Sequence, residues 1–206
     1  MSEMGNPRIG GDADEAKSTG GRDGSRVRAV RLRTAAHFLV LRHRDGDDWD
    51  YVVIEHLGTK ATVDAVGSPT PPNMRDLYAS HGDTFVNGPA WAEFSRNMGL
   101  GQPAQTAGSV YAVSVYRAAP GQRDALEKML NQPPRGGEKV AGMALFQYLE
   151  GAPWNYLTID RYNSWADFAA SETSATAQMA KRAADWFDMR NEVVYHADTL
   201  TDRIAP

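Results

Sequence analysis

Two groups of side chains in this chain have the types and spacing that proton chemistry needs. In residues 37–57, HFLVLRHRDGDDWDYVVIEHL, two apolar runs flank a polar turn and read as a β-hairpin. The expected register sets His37 opposite Glu55, on a face shared with Leu39, Leu41, His43, Tyr51 and Val53. A carboxylate bonded to an imidazole fixes its tautomer and raises its basicity. His37 would then be the general base toward an acidic C–H or phenol, Glu55 would orient it, and Tyr51 would hold a developing enolate oxygen. The plain alternative is a pair of opposite charges that satisfy each other on a sheet. His43 shares the face, but it lies six residues from His37, about 20 Å along an extended strand. That makes a poor metal site without His81 or His196, so no metal is expected.

The second group sits on a second hairpin, formed by residues 142–148 and 154–162 around Gly151-Ala152-Pro153. With Tyr148 across from Trp154, Phe146, Tyr148, Tyr156, Thr158 and Asp160 share one face, and Met143, Leu145, Leu157 and Ile159 the other. An apolar face with polar handles suits a cavity wall. The expected substrate-binding residues are His43, Phe146, Tyr148, Tyr156, Asp160 and, from the preceding strand, Tyr116. Simple packing is the alternative for the tyrosines. Trp49 and Trp154 sit beside the turns and would cap the ends of the barrel.

The two hairpins echo each other at a constant shift of 105 residues: Gly46 falls on Gly151, Trp49 on Trp154, Tyr51 on Tyr156 and Ile54 on Ile159. A G-x-x-W-x-Y pattern in phase with two strand patterns points to a divergent duplication. The rest of the chain must position these hairpins. Residues 1–25 bury almost nothing and are expected to be a disordered tail. Residues 26–34, RVRAVRLRT, read as a basic edge strand, with phosphate binding as the sharper alternative. A loop at residues 58–72 would form a lid or insertion, and a short helix follows at residues 73–80.

Residues 90–98 predict a helix buried through Trp91, Phe94 and Met98, and residues 101–108 a linker. Then come a strand at 110–117, a helix buried through Ala125, Leu126, Met129 and Leu130, the second hairpin, a helix capped by Ser164 and Asp167, and a strand at 192–200. Trp165 and Trp186 are expected in a core or an interface, and a further helical stripe carries Ala180, Ala183, Ala184 and Phe187.

Composition narrows the classes. The 206 residues are 42% hydrophobic and 23% charged, ordinary for a globular protein. A formal charge of −4 argues against nucleic acid as a partner. The chain has no cysteine, which excludes disulfides, thiolate catalysis and Cys-based metal sites. It lacks both a long apolar run and a signal-peptide core, so a cytoplasmic protein with no membrane partner is expected.

The strand, helix, strand, strand, helix, strand order after residue 109 describes a ferredoxin-like unit. Together with S-V-Y-x-V-x-V-Y-R-x-x-P-G-Q and N-S-W-A-D-F, it resembles the dimeric α/β-barrel superfamily of antibiotic-biosynthesis monooxygenase-like, EthD-like and NIPSNAP-like proteins. The resemblance implies an α+β fold, a ferredoxin-like dimeric α/β barrel made of two related halves, 26–108 and 109–206, around a shared cavity. It also implies a homodimer and a small-molecule substrate. Haem degradation is disfavoured, because Lys181 and Ser171 stand where those members use His and Trp. Trp154 and Asn155 are similar to residues of the cofactor-free quinone-forming oxygenases, although alternation turns Asn155 to the helix side. The expected function is cofactor-independent proton abstraction leading to oxygenation, cyclisation or isomerisation of an aromatic or polyketide-like substrate. The alternative is a non-catalytic small-molecule-binding or stress-related assembly protein.

Overall fold

The structure, a computed structural model, describes residues 37–46, 49–58, 82–134, 137–181 and 189–206. The expectations for the tail, the basic segment at 26–34, the 73–80 helix, His81, Ala183, Ala184, Trp186 and Phe187 lie outside those residues, as does most of the 58–72 loop.

The strands are β1 (Phe38–Asp45), β2 (Tyr51–Glu55), β3 (Phe85–Asn87), β4 (Val110–Ala118), β5 (Val140–Glu150), β6 (Tyr156–Tyr162) and β7 (Val193–Ala205). The helices are α1 (Trp91–Asn97), α2 (Arg123–Leu130) and α3 (Trp165–Lys181). The strands form one curled sheet in the order β2-β1-β7-β4-β6-β5-β3, and each neighbouring pair is antiparallel.

This corrects the expected fold class. Instead of two ferredoxin-like α/β halves closing a barrel, one continuous antiparallel sheet carries short helices, and strand outweighs helix. The cause is β7. Its 13 residues run well past the expected end, pairing with β4 along most of their length and with β1 through Leu200–Ala205. The amino-terminal residues add a hairpin at one edge and the three-residue β3 at the other.

The local expectations hold for α1 and α2 and for the cap of α3. Leu126 of α2 is fully buried, as are Phe94 and Met98 at α1. Asp167 donates its backbone N–H to Ser164 Oγ at 3.1 Å, the N-cap bond the sequence predicts, and Ser164 Oγ donates in turn to the Asp167 carboxylate at 3.0 Å. Trp165 is 49% exposed rather than core. Among the described residues no helix is long and apolar enough to cross a membrane.

Both hairpins are shifted by one residue from the expected register. Glu55 pairs with Phe38, not His37, and Leu157 pairs with Phe146, which was expected opposite Tyr156. Because side chains alternate, one residue of slip moves every partner to the other face. The tryptophans account for it. Trp49 and Trp154 leave the ladder and bury themselves in the core, 4% and 5% exposed, rather than capping a barrel end. Asn155 O then accepts the Tyr148 N–H at 2.8 Å, and Asp50 O accepts that of His43 at 2.8 Å. The slip is the same in both hairpins, so Phe38–Glu55 and Met143–Asp160 are one pair repeated 105 residues on. Gly46 and Gly151, with φ of 120° and 108°, repeat too: a Cβ would strike the Asp198 carbonyl at the first and the Asp83 carbonyl at the second.

The sheet therefore has two unlike faces. One carries Leu39, Leu41, Tyr111, Val113, Val115, Ala144, Phe146, Leu157 and Ile159, packed with Phe94 and Met98 of the α1 region into the hydrophobic core. The other carries Ser114, Tyr116, Met143, Tyr156, Thr158 and Asp160 on its central strands, beneath α2 and α3.

Candidate functional site

The expected His37–Glu55 site does not assemble. His37 is exposed, lies beside His56 and stacks on Trp91 at 4.8 Å between ring centroids. Glu55 and Tyr51 belong to the opposite face of the same hairpin, with Phe38 and Arg42. His43 follows Leu39 and Leu41 onto the core face, 5.8 Å from the Trp49 ring. Phe146 is core, and Tyr148 packs against that core beside Trp154. Tyr156 is fully buried on the polar face, but its hydroxyl is taken up: it donates to Glu127 at 2.7 Å, anchoring α2 to the sheet. Asn155 is structural, its Oδ1 accepting the Ala118 N–H at 2.8 Å.

Tyr116 and Asp160 do come together. With Thr158 and Tyr162 they floor a cavity of about 270 Å³ between the polar face and the two helices that cover it. Met129 and Leu130 of α2, Met143 of β5 and Glu172 of α3 form its walls, with Glu138 just ahead of β5. The local reason is alternation: Tyr156, Thr158, Asp160 and Tyr162 are every second residue of β6. Asp160 pairs across the ladders with Ala112 on β4 and Met143 on β5. Neither neighbour can neutralise a carboxylate.

Asp160 Oδ1 is sealed from solvent and has no hydrogen-bond partner among the described residues. Burial, then the charges of Glu138 and Asp198, push its carboxyl up from 3.8 to about 7. Tyr116 is pushed up to about 12, first by burial and then by Asp198. Burial first, then the charge of Asp160, raises Tyr162 as well. Both phenols therefore stay protonated and able to donate at neutral pH.

Beside the cavity stands a cluster that sequence reading missed. His196 Nε2 lies 2.8 Å from Asp198 Oδ1, and Ser114 Oγ donates to the same oxygen at 2.5 Å. The His196 ring stacks on Tyr116, with centroids 4.4 Å apart. Burial would raise Asp198, but the bonds from His196 and Ser114 outweigh it and hold the carboxyl below its usual value. The usable signal was His-x-Asp in the last strand, which puts both side chains on one face. Among the described residues, no three His, Asp or Glu side chains converge as metal ligands.

The raised Asp160 carboxyl has a consequence for stability. Its folded value exceeds its unfolded one, so the folded state binds more protons between about pH 4 and 7, and stability falls as pH rises through that window. The penalty is absent at lower pH and complete above pH 7, at about 4 kcal/mol. Asp160→Asn is therefore expected to stabilise the protein by about 2.5 kcal/mol more at pH 8 than at pH 5. Urea denaturation at the two pH values checks this, and an equal effect at both would contradict it.

The chain matches no protein-family model, no curated protein and no solved structure.

Proposed function

We propose that this cavity binds a small, largely apolar or aromatic molecule and that Asp160 takes a proton from it without a cofactor. The observation that carries the reading is the Asp160 carboxyl: one oxygen enclosed and unpartnered at the edge of a cavity, with ionisation moved to about pH 7. A base of that strength is matched to its operating pH, unlike an ordinary aspartate. The proton passes from a substrate C–H to the carboxylate, and the released electron pair moves onto the substrate's carbonyl oxygen. Tyr116, protonated and on the cavity floor, donates to that oxyanion. Isomerisation, cyclisation or reaction with oxygen are the outcomes open to the enolate. The reading is of a cytoplasmic enzyme, with the base moved from His37 to Asp160.

The test is proton exchange. Small neutral ketones with acidic α-hydrogens, such as 2-tetralone, are incubated with the protein in D2O and followed by proton NMR. The protein should accelerate exchange with a rate that rises through pH 7, and Asp160→Asn should lower it by roughly 10²–10⁴-fold. Exchange unaffected by that substitution would overturn the assignment. Ketone binding without exchange would replace the enzyme with a non-catalytic binding protein.

A further inference from the structure

His196, Asp198 and Ser114 are the residue types of a hydrolase triad, but their order is wrong for one. Ser114 Oγ donates to Asp198 Oδ1 at 2.5 Å and His196 Nε2 lies 2.8 Å from the same oxygen, so the imidazole has no serine to activate. What ties the cluster to the cavity is the ring stack. His196 and Tyr116 are direct partners across β7 and β4, and their rings lie 4.4 Å apart and within 12° of parallel.

The stack reaches the cavity through the phenol. Ser114 pairs with Asp198 on one side and with Thr158 on the other, which lines up three polar side chains across β7, β4 and β6 on the polar face. Tyr116 leans back over that row, where hydrogen bonds with the Ser114 and Thr158 side chains act on its hydroxyl. Asp160 follows Thr158 by two residues on β6, and all three side chains, Tyr116, Thr158 and Asp160, face the cavity.

Tyr116 thus sits between two rings that the fold has fixed. Tyr156, its partner on β6, is fully buried and tied to α2 through Glu127. His196, its partner on β7, is held by Asp198, which Ser114 holds in turn. We propose that His196 is the positioning residue of the site: its imidazole, anchored by Asp198, backs the Tyr116 ring and keeps the phenol hydroxyl aimed at the substrate's developing oxyanion. A donor fixed before the reaction costs no reorganisation as charge develops, and one displaced by about 1 Å can lose about 10²-fold in rate. This rests on the reading of Asp160 and Tyr116 above and adds a residue that touches neither the substrate nor the transferred proton.

Exchange of 2-tetralone at pH 8 tests this, with kcat and KM measured separately and circular dichroism showing each variant folded. His196→Ala should lower kcat by roughly 10–100-fold and leave KM within about twofold of the parent. His196→Phe, which keeps a ring against the phenol and loses the bond to Asp198, should recover most of that loss. Tyr116→Phe removes the donor itself, so adding His196→Ala to it should cost no more than about twofold further. A parental kcat in His196→Ala, an effect of His196→Ala that persists in full without the phenol, or a phenylalanine no better than alanine would overturn the proposal. Should exchange depend on Asp160 and not on His196, the positioning role alone falls. Should the parent protein show no exchange, the proton-transfer reading falls and this role falls with it.

Discussion

Replacing Gly142 with alanine is expected to cost about 4 kcal/mol or more of folding stability, a large part of what holds a typical domain together. Gly142 lies on β5 opposite Arg161, where the carboxyl end of α1 presses down on the sheet. A Cβ there would fall well inside the van der Waals envelope of the Asn97 carbonyl oxygen, and the carbonyl carbon and Cα of Asn97 crowd the same spot. All three are backbone atoms, so no side-chain rotation gives relief and the helix must move away from the strand. That movement would part Phe94 and Met98 from the core they fill. Urea denaturation measures the loss; a variant within about 1 kcal/mol of the parent would show that α1 can shift freely.

Arg161→Leu is expected to cost about 2–5 kcal/mol. Arg161 is 8% exposed, and it bonds the Asn97 carbonyl at 2.8 Å, Asn163 Oδ1 at 2.7 Å and the Ala141 carbonyl at 3.1 Å. The last carbonyls of a helix have no partner within it, and at α1 other parts of the chain supply them. Arg161 takes Asn97, Tyr111 takes Met98 at 2.9 Å, and Arg203 takes Gly99 at 3.2 Å. Burial lowers the Arg161 pKa, but a guanidinium at a helix carboxyl end is favoured by the dipole there. Leucine would strand two partly buried carbonyls, at about 1–3 kcal/mol each. Lysine would not restore the parent, because one ammonium cannot reproduce a planar fork that reaches three acceptors. Arg161→Lys should therefore recover less than half of the loss, measured by the same denaturation, and full recovery would mean that charge alone matters.

The candidate site was only partly legible in the sequence. Alternation along β6 placed Tyr156, Thr158 and Asp160 together and Leu157 and Ile159 opposite, as observed. Alternation along β4 likewise put Ser114 with Tyr116. Which residues of β5 joined each set could not be read this way, since that depended on whether Trp154 stayed in the ladder. Its burial in the core moved Phe146 and Tyr148 away from Asp160 and brought Met143 beside it. The same event at Trp49 parted His37 from Glu55.

What the amino-acid sequence determined alone is local. It held the three helices of the described residues, the buried positions of α1 and α2, the cap at Ser164 and the two hairpins, all of which depend on neighbours a few positions apart, and the repetition of the hairpins at 105 residues. The tertiary structure decided what depends on distant partners. The length of β7 became visible only through its pairing with β4 and β1, and the His196–Asp198–Ser114 cluster only through the register between strands some 80 residues apart. The ionisation of Asp160 belongs to the same class, because a carboxyl's pKa is set by the solvent it loses and the charges it faces, and both arrive from other elements of the fold.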